Sequence, residues 1–114
     1  MNSRDYLIRT AIENQGSWIA ISKSLAKQKP VSSIIQIPKC ITIYDENYPE
    51  QFRNLRYPPW VLFYVGNIQL LKQRCITIIG SREISRYGET CTKLSASVLS
   101  KKYVIVSGLA KGAD

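Results

Sequence analysis

Histidine is absent from all 114 residues. Ser-His-Asp and Cys-His nucleophiles therefore cannot be built from this chain, nor can most zinc sites. Cysteine is scarce too. Cys40, Cys75 and Cys91 make an odd count whose spacing matches no zinc motif. Cys40 and Cys75 open apolar runs and are expected to be small buried hydrophobes. Long apolar stretches are missing: the longest, Trp60–Val65 and Ile76–Ile79, fall far short of the roughly 20 residues that cross a bilayer. The N-terminus lacks the basic-then-apolar run of a secretory signal, so a cytoplasmic location is expected.

What is present belongs to a globular chain. Hydrophobic residues make up 45% and aromatic residues 10%, which excludes a disordered polymer. Acidic residues are few, eight against 16 Lys and Arg, and the net charge is +8. That excess is uneven. Residues 1–40 carry six basic and two acidic side chains, residues 41–71 two and three, and residues 72–114 eight and three. A basic final third favours an anionic partner, with nucleic acid ahead of membrane because no basic amphipathic helix stands out.

Residues 3–28 read as two helices. Tyr6, Ile8, Ala11 and Ile12 recur near helical spacing, Gly16-Ser17 breaks the run and caps a second helix, and Trp18, Ile21 and Leu25 follow. Pro30 is expected to stop that helix, and Trp18 is read as core. Cys40–Tyr44 alternates as a short strand, Asp45-Glu46-Asn47 turns the chain, and Pro49 opens a helical turn within Tyr48–Leu55. Trp60–Val65 is a strand ending at Gly66-Asn67.

The last third is the most regular. Arg74–Ile79 reads as a buried parallel strand ending in Gly80. A polar loop leads to a helix with Leu94, Val98 and Leu99 at helical spacing and Lys101-Lys102 in its last turn. Tyr103–Val106 is a second buried strand ending in Ser107-Gly108. Strand, loop, helix, strand is a βαβ unit, so the class is α/β: a partial Rossmann-like parallel sheet behind a helical N-terminal region. The division falls at 1–39 and 40–114. With only two strands of a doubly wound sheet, the chain reads as the N-terminal portion of something longer, with an exposed sheet edge that favours self-association.

Ligands of such sheets bind at the carboxyl ends of the strands. Two loops leave those ends, Gly80-Ser81-Arg82 and Ser107-Gly108-Leu109-Ala110-Lys111-Gly112. Glycine lets backbone approach an anion, Ser81 and Ser107 offer hydroxyls, Arg82 a planar fork and Lys111 a second positive charge. The plainer alternative has Gly80 and Gly108 only turning the chain and Arg82 paired with Glu83 or Glu89. After Gly80 the next glycine is Gly88, so neither a Walker A loop nor G-x-G-x-x-G is present. No catalytic residue, metal or cofactor is assigned. Tyr87 or Tyr103 offers a stacking face, against the alternative of packing under the helix.

These motifs, in order, resemble the DprA/Smf DNA-processing family. They are Tyr48-Pro49, Pro58-Pro59-Trp60-Val61-Leu62-Phe63 with Gly66-Asn67, Ile78-Ile79-Gly80-Ser81-Arg82 with Tyr87-Gly88, and Val106-Ser107-Gly108-Leu109-Ala110-Lys111-Gly112-Ala113-Asp114. The likeness covers about residues 40–114. It implies a bacterial recombination mediator that binds single-stranded DNA in natural transformation and loads RecA recombinase, as a dimer and without catalysis. By that likeness Arg82 contacts the DNA backbone, Ser81, Ser107, Gly108 and Lys111 complete an anion pocket, and Asp114 orients the loop. Two alternatives stand beside it. One is a nucleotide-binding enzyme of the phosphoribohydrolase or lysine-decarboxylase-like type, whose Glu-rich motif is not found here. The other is an inactive truncated fragment.

Overall fold

The computed structural model describes residues 1–33 and 35–114. They form two compact units, Met1–Gly66 and Asn67–Asp114. The first contains helix α1 (Ser3–Glu13), helix α2 (Trp18–Ala26), strand β1 (Cys40–Thr42), the single helical turn α3 (Glu50–Arg53) and strand β2 (Val61–Phe63). The second contains a 3-10 helix (Ile68–Lys72), strand β3 (Cys75–Thr77), helix α4 (Arg86–Leu99) and strand β4 (Val104–Val106).

Helix α1 starts where the Asn2 side chain accepts the Asp5 N–H at 2.7 Å. It ends as Gln15 and Gly16 take positive φ, 53° and 76°, and the Gly16 N–H closes on the Ala11 carbonyl at 3.0 Å. Ser17 then caps α2, as the sequence predicts. That second helix stops before Pro30 can act: Lys27 caps it and Gln28, at φ 51°, turns the chain left-handed. Leu7, Ala11 and Ile21 form the buried centre of this unit, with Leu25, Ile43, Trp60 and Val61 packed against them.

Strands β1 and β2 are antiparallel, in the register Cys40↔Phe63, Ile41↔Leu62 and Thr42↔Val61. The returning segment is pinned by the buried Tyr48, whose hydroxyl donates to the Pro59 carbonyl at 2.7 Å. Asp45 holds the turn between them. Its carboxylate accepts from the Thr42 N–H at 2.9 Å and the Thr42 hydroxyl at 3.1 Å, and from Arg4 Nε and Nη2 at 2.8 and 3.1 Å. The Arg4 hydrogen bond holds the Asp45 carboxyl below its ordinary range, ahead of the opposing effect of burial. A carboxyl whose pKa is depressed by folding stabilises the fold above its unfolded pKa, and that contribution is lost as pH falls through the lowered folded value. Asp45→Asn is therefore expected to cost about 1–2 kcal/mol at neutral pH, the half-exposed Arg4 reducing the Coulomb share. Urea unfolding followed from neutral pH down to the acid side of the carboxylate range should show the gap between wild type and variant closing. A gap constant with pH would contradict this role.

In the second unit β3 and β4 are parallel, in the register Cys75↔Val104, Ile76↔Ile105 and Thr77↔Val106, with α4 between them in sequence and packed on β4. This is the expected βαβ unit. Its burial differs from expectation. Both strands keep partial exposure and every residue of this unit retains some accessible surface, because a two-stranded sheet beneath one helix has an open face and open edges. Cys75 is accordingly exposed and Cys40 only half-buried, contrary to their reading as buried hydrophobes.

Helix α4 also faces differently. Thr92, Ala96 and Leu99 point inward, whereas Leu94 and Val98 are exposed. The helix carries two apolar stripes, and periodicity alone cannot say which one meets the sheet. Lys101 and Lys102 lie beyond the Ser100 cap rather than in the last helical turn, since the Tyr103 N–H already closes on Leu99 O at 2.9 Å. Among the described residues, no helix is long and apolar enough to cross a membrane.

Candidate functional site

Parallel pairing sends β3 and β4 out at the same sheet edge, and the two glycine loops leave side by side. The Ile78 N–H donates to the Val106 carbonyl at 3.1 Å, extending the pairing one step past β3. Further out, the Ala113 N–H donates to the Ser81 carbonyl at 3.1 Å and joins one loop to the other.

Glycine is required for that junction. Gly112 has φ +91°, and a Cβ there would lie 2.1 Å from the Ser81 carbonyl oxygen and 2.7 Å from Arg82 Cα. At Gly80 a Cβ would come within 2.5 Å of the Ala113 methyl. The glycines therefore do more than turn the chain: Gly112 lets two backbones touch and Gly80 makes room for the Ala113 methyl.

The serines are engaged inside the loops. Ser81 Oγ donates to the Glu83 carbonyl and accepts from the Glu83 N–H, both at 3.1 Å. Ser107 Oγ donates to the Asp114 carbonyl at 2.8 Å and accepts from the Leu109 N–H at 2.9 Å. The Asp114 carboxylate accepts from the Ala110 N–H at 3.4 Å, spanning the base of the second loop. Gly108 packs against that carboxylate, 2.9 Å from an added Cβ.

The cations are left unengaged. Arg82 and Lys111 are exposed and make no hydrogen bond or ion pair among the described residues. Arg82 does not pair with Glu83 or Glu89, and Glu89 is held instead by Lys93 at 2.9 Å. Just beyond, Ser85 caps α4 by accepting the Gly88 N–H at 3.0 Å, so the positive end of the helix macrodipole follows directly on the Arg82 loop. Guanidinium, ammonium and helix end are thus carried on, or directly after, these two joined loops. Among the described residues, no three His, Cys, Asp or Glu side chains gather to hold a metal ion.

Tyr87 and Leu109 border this sheet edge, whereas Tyr103, which precedes β4, lies at the opposite end of the parallel pair. Tyr87, in the first turn of α4, is 80% exposed, so its ring does not pack under the helix. Tyr103 is half-buried beneath the Arg74 guanidinium, 5.5 Å from the ring centroid, which is a packing role. Leu109 was not singled out by the sequence. It is 90% exposed and adopts φ 59°, a left-handed conformation that costs an apolar residue free energy. No single-sequence signal marks it, because the conformation follows from the Ser107 and Asp114 hydrogen bonds around it.

Comparison with known proteins agrees with these motifs. The family described as DNA recombination-mediator protein A matches residues 39–114. The protein named DNA processing protein DprA from Streptococcus pneumoniae is 40% identical over 73 residues, 64% of this chain and 26% of its own length. Its namesake from Bacillus subtilis is 41% identical over 76 residues, 65% of this chain and 26% of its own. Protein Smf of Borreliella burgdorferi is 32% identical over 77 residues, 67% and 24% of the two chains. The chain thus spans about a quarter of the length of the curated relatives it matches. No solved structure matches it.

Proposed function

The chain belongs to the DNA recombination-mediator protein A family, and from that premise we propose that it binds single-stranded DNA through the two glycine loops. In this reading Arg82 and Lys111 take the phosphates, and Gly80, Gly108 and Gly112 keep the backbone close enough for them to converge. Ser81 and Ser107 hold the loops in shape, and each can still accept or reorient toward a ligand. Tyr87 offers a base-stacking face beside the pocket. The role is binding, without catalysis: protection of single strands and loading of a RecA-type recombinase in DNA uptake, by a cytoplasmic protein. The division at residue 39, with a helical region before a partial Rossmann-like domain, is part of the same proposal.

The observation that carries it is the pair of unengaged cations on joined loops. A surface cation serving only solubility needs no such support, and these two stand on loops whose close approach Gly112 and Gly80 allow. Phosphate contact by a planar guanidinium is a charge-assisted interaction that a carboxylate would reverse.

Fluorescence anisotropy of labelled oligo-dT, at low and moderate salt and beside a matched duplex, tests the reading. Saturable single-strand binding is expected, with a log–log salt slope of about −0.7 per phosphate neutralised. Arg82→Glu should weaken it by about 10- to 100-fold. Lys27→Glu, an exposed charge at the end of α2, should change it by no more than about twofold. Equal losses in the two variants would mean diffuse electrostatics and would sink the pocket.

A further inference from the structure

Tyr57 and Tyr44 are the most exposed aromatic rings described in the first unit, and of the two only Tyr57 lies against another aromatic ring. Tyr48 is buried with its hydroxyl bonded to Pro59, whereas Tyr57 is 53% exposed and its hydroxyl has no hydrogen bond among the described residues. Its backbone is nonetheless fixed, because Pro58 and Pro59 follow it directly. Its neighbours are fixed as well. Trp18 Nε1 donates to the Pro58 carbonyl at 2.9 Å, and Trp60 Nε1 reaches the Trp18 carbonyl at 3.4 Å. The two indoles stack with centroids 5.5 Å apart, and Trp18 meets the Tyr57 ring edge-on at 5.0 Å.

Beside this ring lies an open hollow of about 290 Å³, lined by Ser17, Trp18, Ile19 and Tyr57. Its lining is mainly ring and alkyl surface, and two of its residues, Ser17 and Tyr57, carry hydroxyls. Arg56 holds its guanidinium 5.3 Å from the Tyr57 centroid and makes no ion pair among the described residues. Charge favours an anionic occupant. Residues 1–66 carry eight basic and five acidic side chains, and Asp5, Asp45 and Glu50 are already paired with Arg9, Arg4 and Arg53. Outside these pairs Arg56, Lys23, Lys27, Lys29 and Lys39 stand against Glu13 and Glu46, an excess of positive charge.

We infer that Tyr57, Trp18 and Arg56 form a second single-strand contact, in which an unpaired nucleobase enters the hollow against the Tyr57 ring and Arg56 meets the adjoining phosphate. An open hollow beside an aromatic ring accepts any base face, and a nearby cation selects the polyanion to which that base is attached. A rigid ring also loses little conformational entropy on binding. Duplex bases, stacked on their neighbours, do not enter. This rests on the single-strand reading given above, and extends it to a unit that the glycine loops do not reach in sequence.

The chain supplies its own reporter, since both of its tryptophans, Trp18 and Trp60, belong to this cluster. The full chain is titrated with a 12-nucleotide oligo-dT, with an abasic strand of equal charge, and with duplex, while tryptophan emission and the anisotropy of labelled strand are read in parallel. Saturable quenching is expected with oligo-dT and not with the abasic strand or the duplex. Tyr57→Ala should weaken oligo-dT binding by about 5- to 100-fold, the equivalent of one stacked base, and Tyr57→Phe should stay within about twofold of wild type. Arg82→Glu should weaken binding and still show quenching once oligo-dT saturates. Saturating anisotropy with unchanged emission, or quenching as strong with the abasic strand, overturns the platform and leaves the glycine loops standing. Flat anisotropy overturns both. Should Tyr57→Ala fail to fold by circular dichroism, the wild-type comparison of oligo-dT with abasic strand decides alone.

Discussion

Gly112→Ala is expected to abolish high-affinity single-strand binding with a change of one methyl group. The added Cβ would stand 2.1 Å from the Ser81 carbonyl oxygen, so one loop must move away from the other. The contact is to backbone on both sides, and no flexible side-chain end can yield. The residue must also hold φ +91°, which costs an L-amino acid about 1–2 kcal/mol by itself. The conformational term is separable, because Gly16 has a similar φ of +76° with open space where its Cβ would go. Gly16→Ala should cost that strain alone and leave binding unchanged. Gly112→Ala should lose at least about tenfold in oligo-dT affinity, the equivalent of one charge-assisted contact. Its amide hydrogens over residues 80–85 and 107–113 should exchange faster, while those of α1 and α2 are unaffected. Wild-type binding by Gly112→Ala would show that the junction of the loops is incidental to function.

The reach of the sequence can be judged at that same junction. Glycine after an apolar run, serine before a helix and proline after one act within a few residues of themselves, and the elements they delimit were legible: both N-terminal helices, the turn at Asp45, and a parallel strand pair with a helix between. The location of the two loops at one sheet edge follows from parallel pairing and was legible too. What escaped was set by distance along the chain or by choice between equivalent faces. The Arg4–Asp45 pair spans 41 residues, and no local pattern announces it. Ser81 and Ser107 read as ligand donors because their type permits it, yet their hydrogen bonds close the loops. The 3-10 helix at Ile68–Lys72 is too short to have a period, although Asn67 caps it by accepting the Gln69 N–H at 3.0 Å. The exposure of Tyr57 depends on where two prolines lay the chain, and residue type says nothing of it.

Leu7 and Leu94 look alike in the sequence, each an apolar position in a helical period, and the structure predicts opposite fates for their removal. Leu7 is wholly inaccessible and lies against Ala11 and Ile21, with Leu25, Ile43, Trp60 and Val61 around them. Truncation to alanine loses the transfer free energy of three carbons and leaves a cavity that two helices and a hairpin cannot close without moving together. The expected cost is about 2–5 kcal/mol. In a unit of this size each kcal/mol lowers the melting temperature by about 4–8 °C, so Leu7→Ala should melt at least about 8 °C below wild type. Leu94 is 64% exposed, and its truncation should change stability by less than about 0.5 kcal/mol. The tryptophans report the first unit, since Trp60 packs on the Leu7 cluster and Trp18 stacks on Trp60. Thermal melts followed by tryptophan emission for Leu7→Ala, and amide hydrogen exchange over α4 for Leu94→Ala, should therefore show a large loss in the first variant and a small one in the second. Comparable losses would mean that the outward stripe of α4 is covered when the protein is in solution, and that the inward stripe of Thr92, Ala96 and Leu99 is not the one that holds the helix to its sheet.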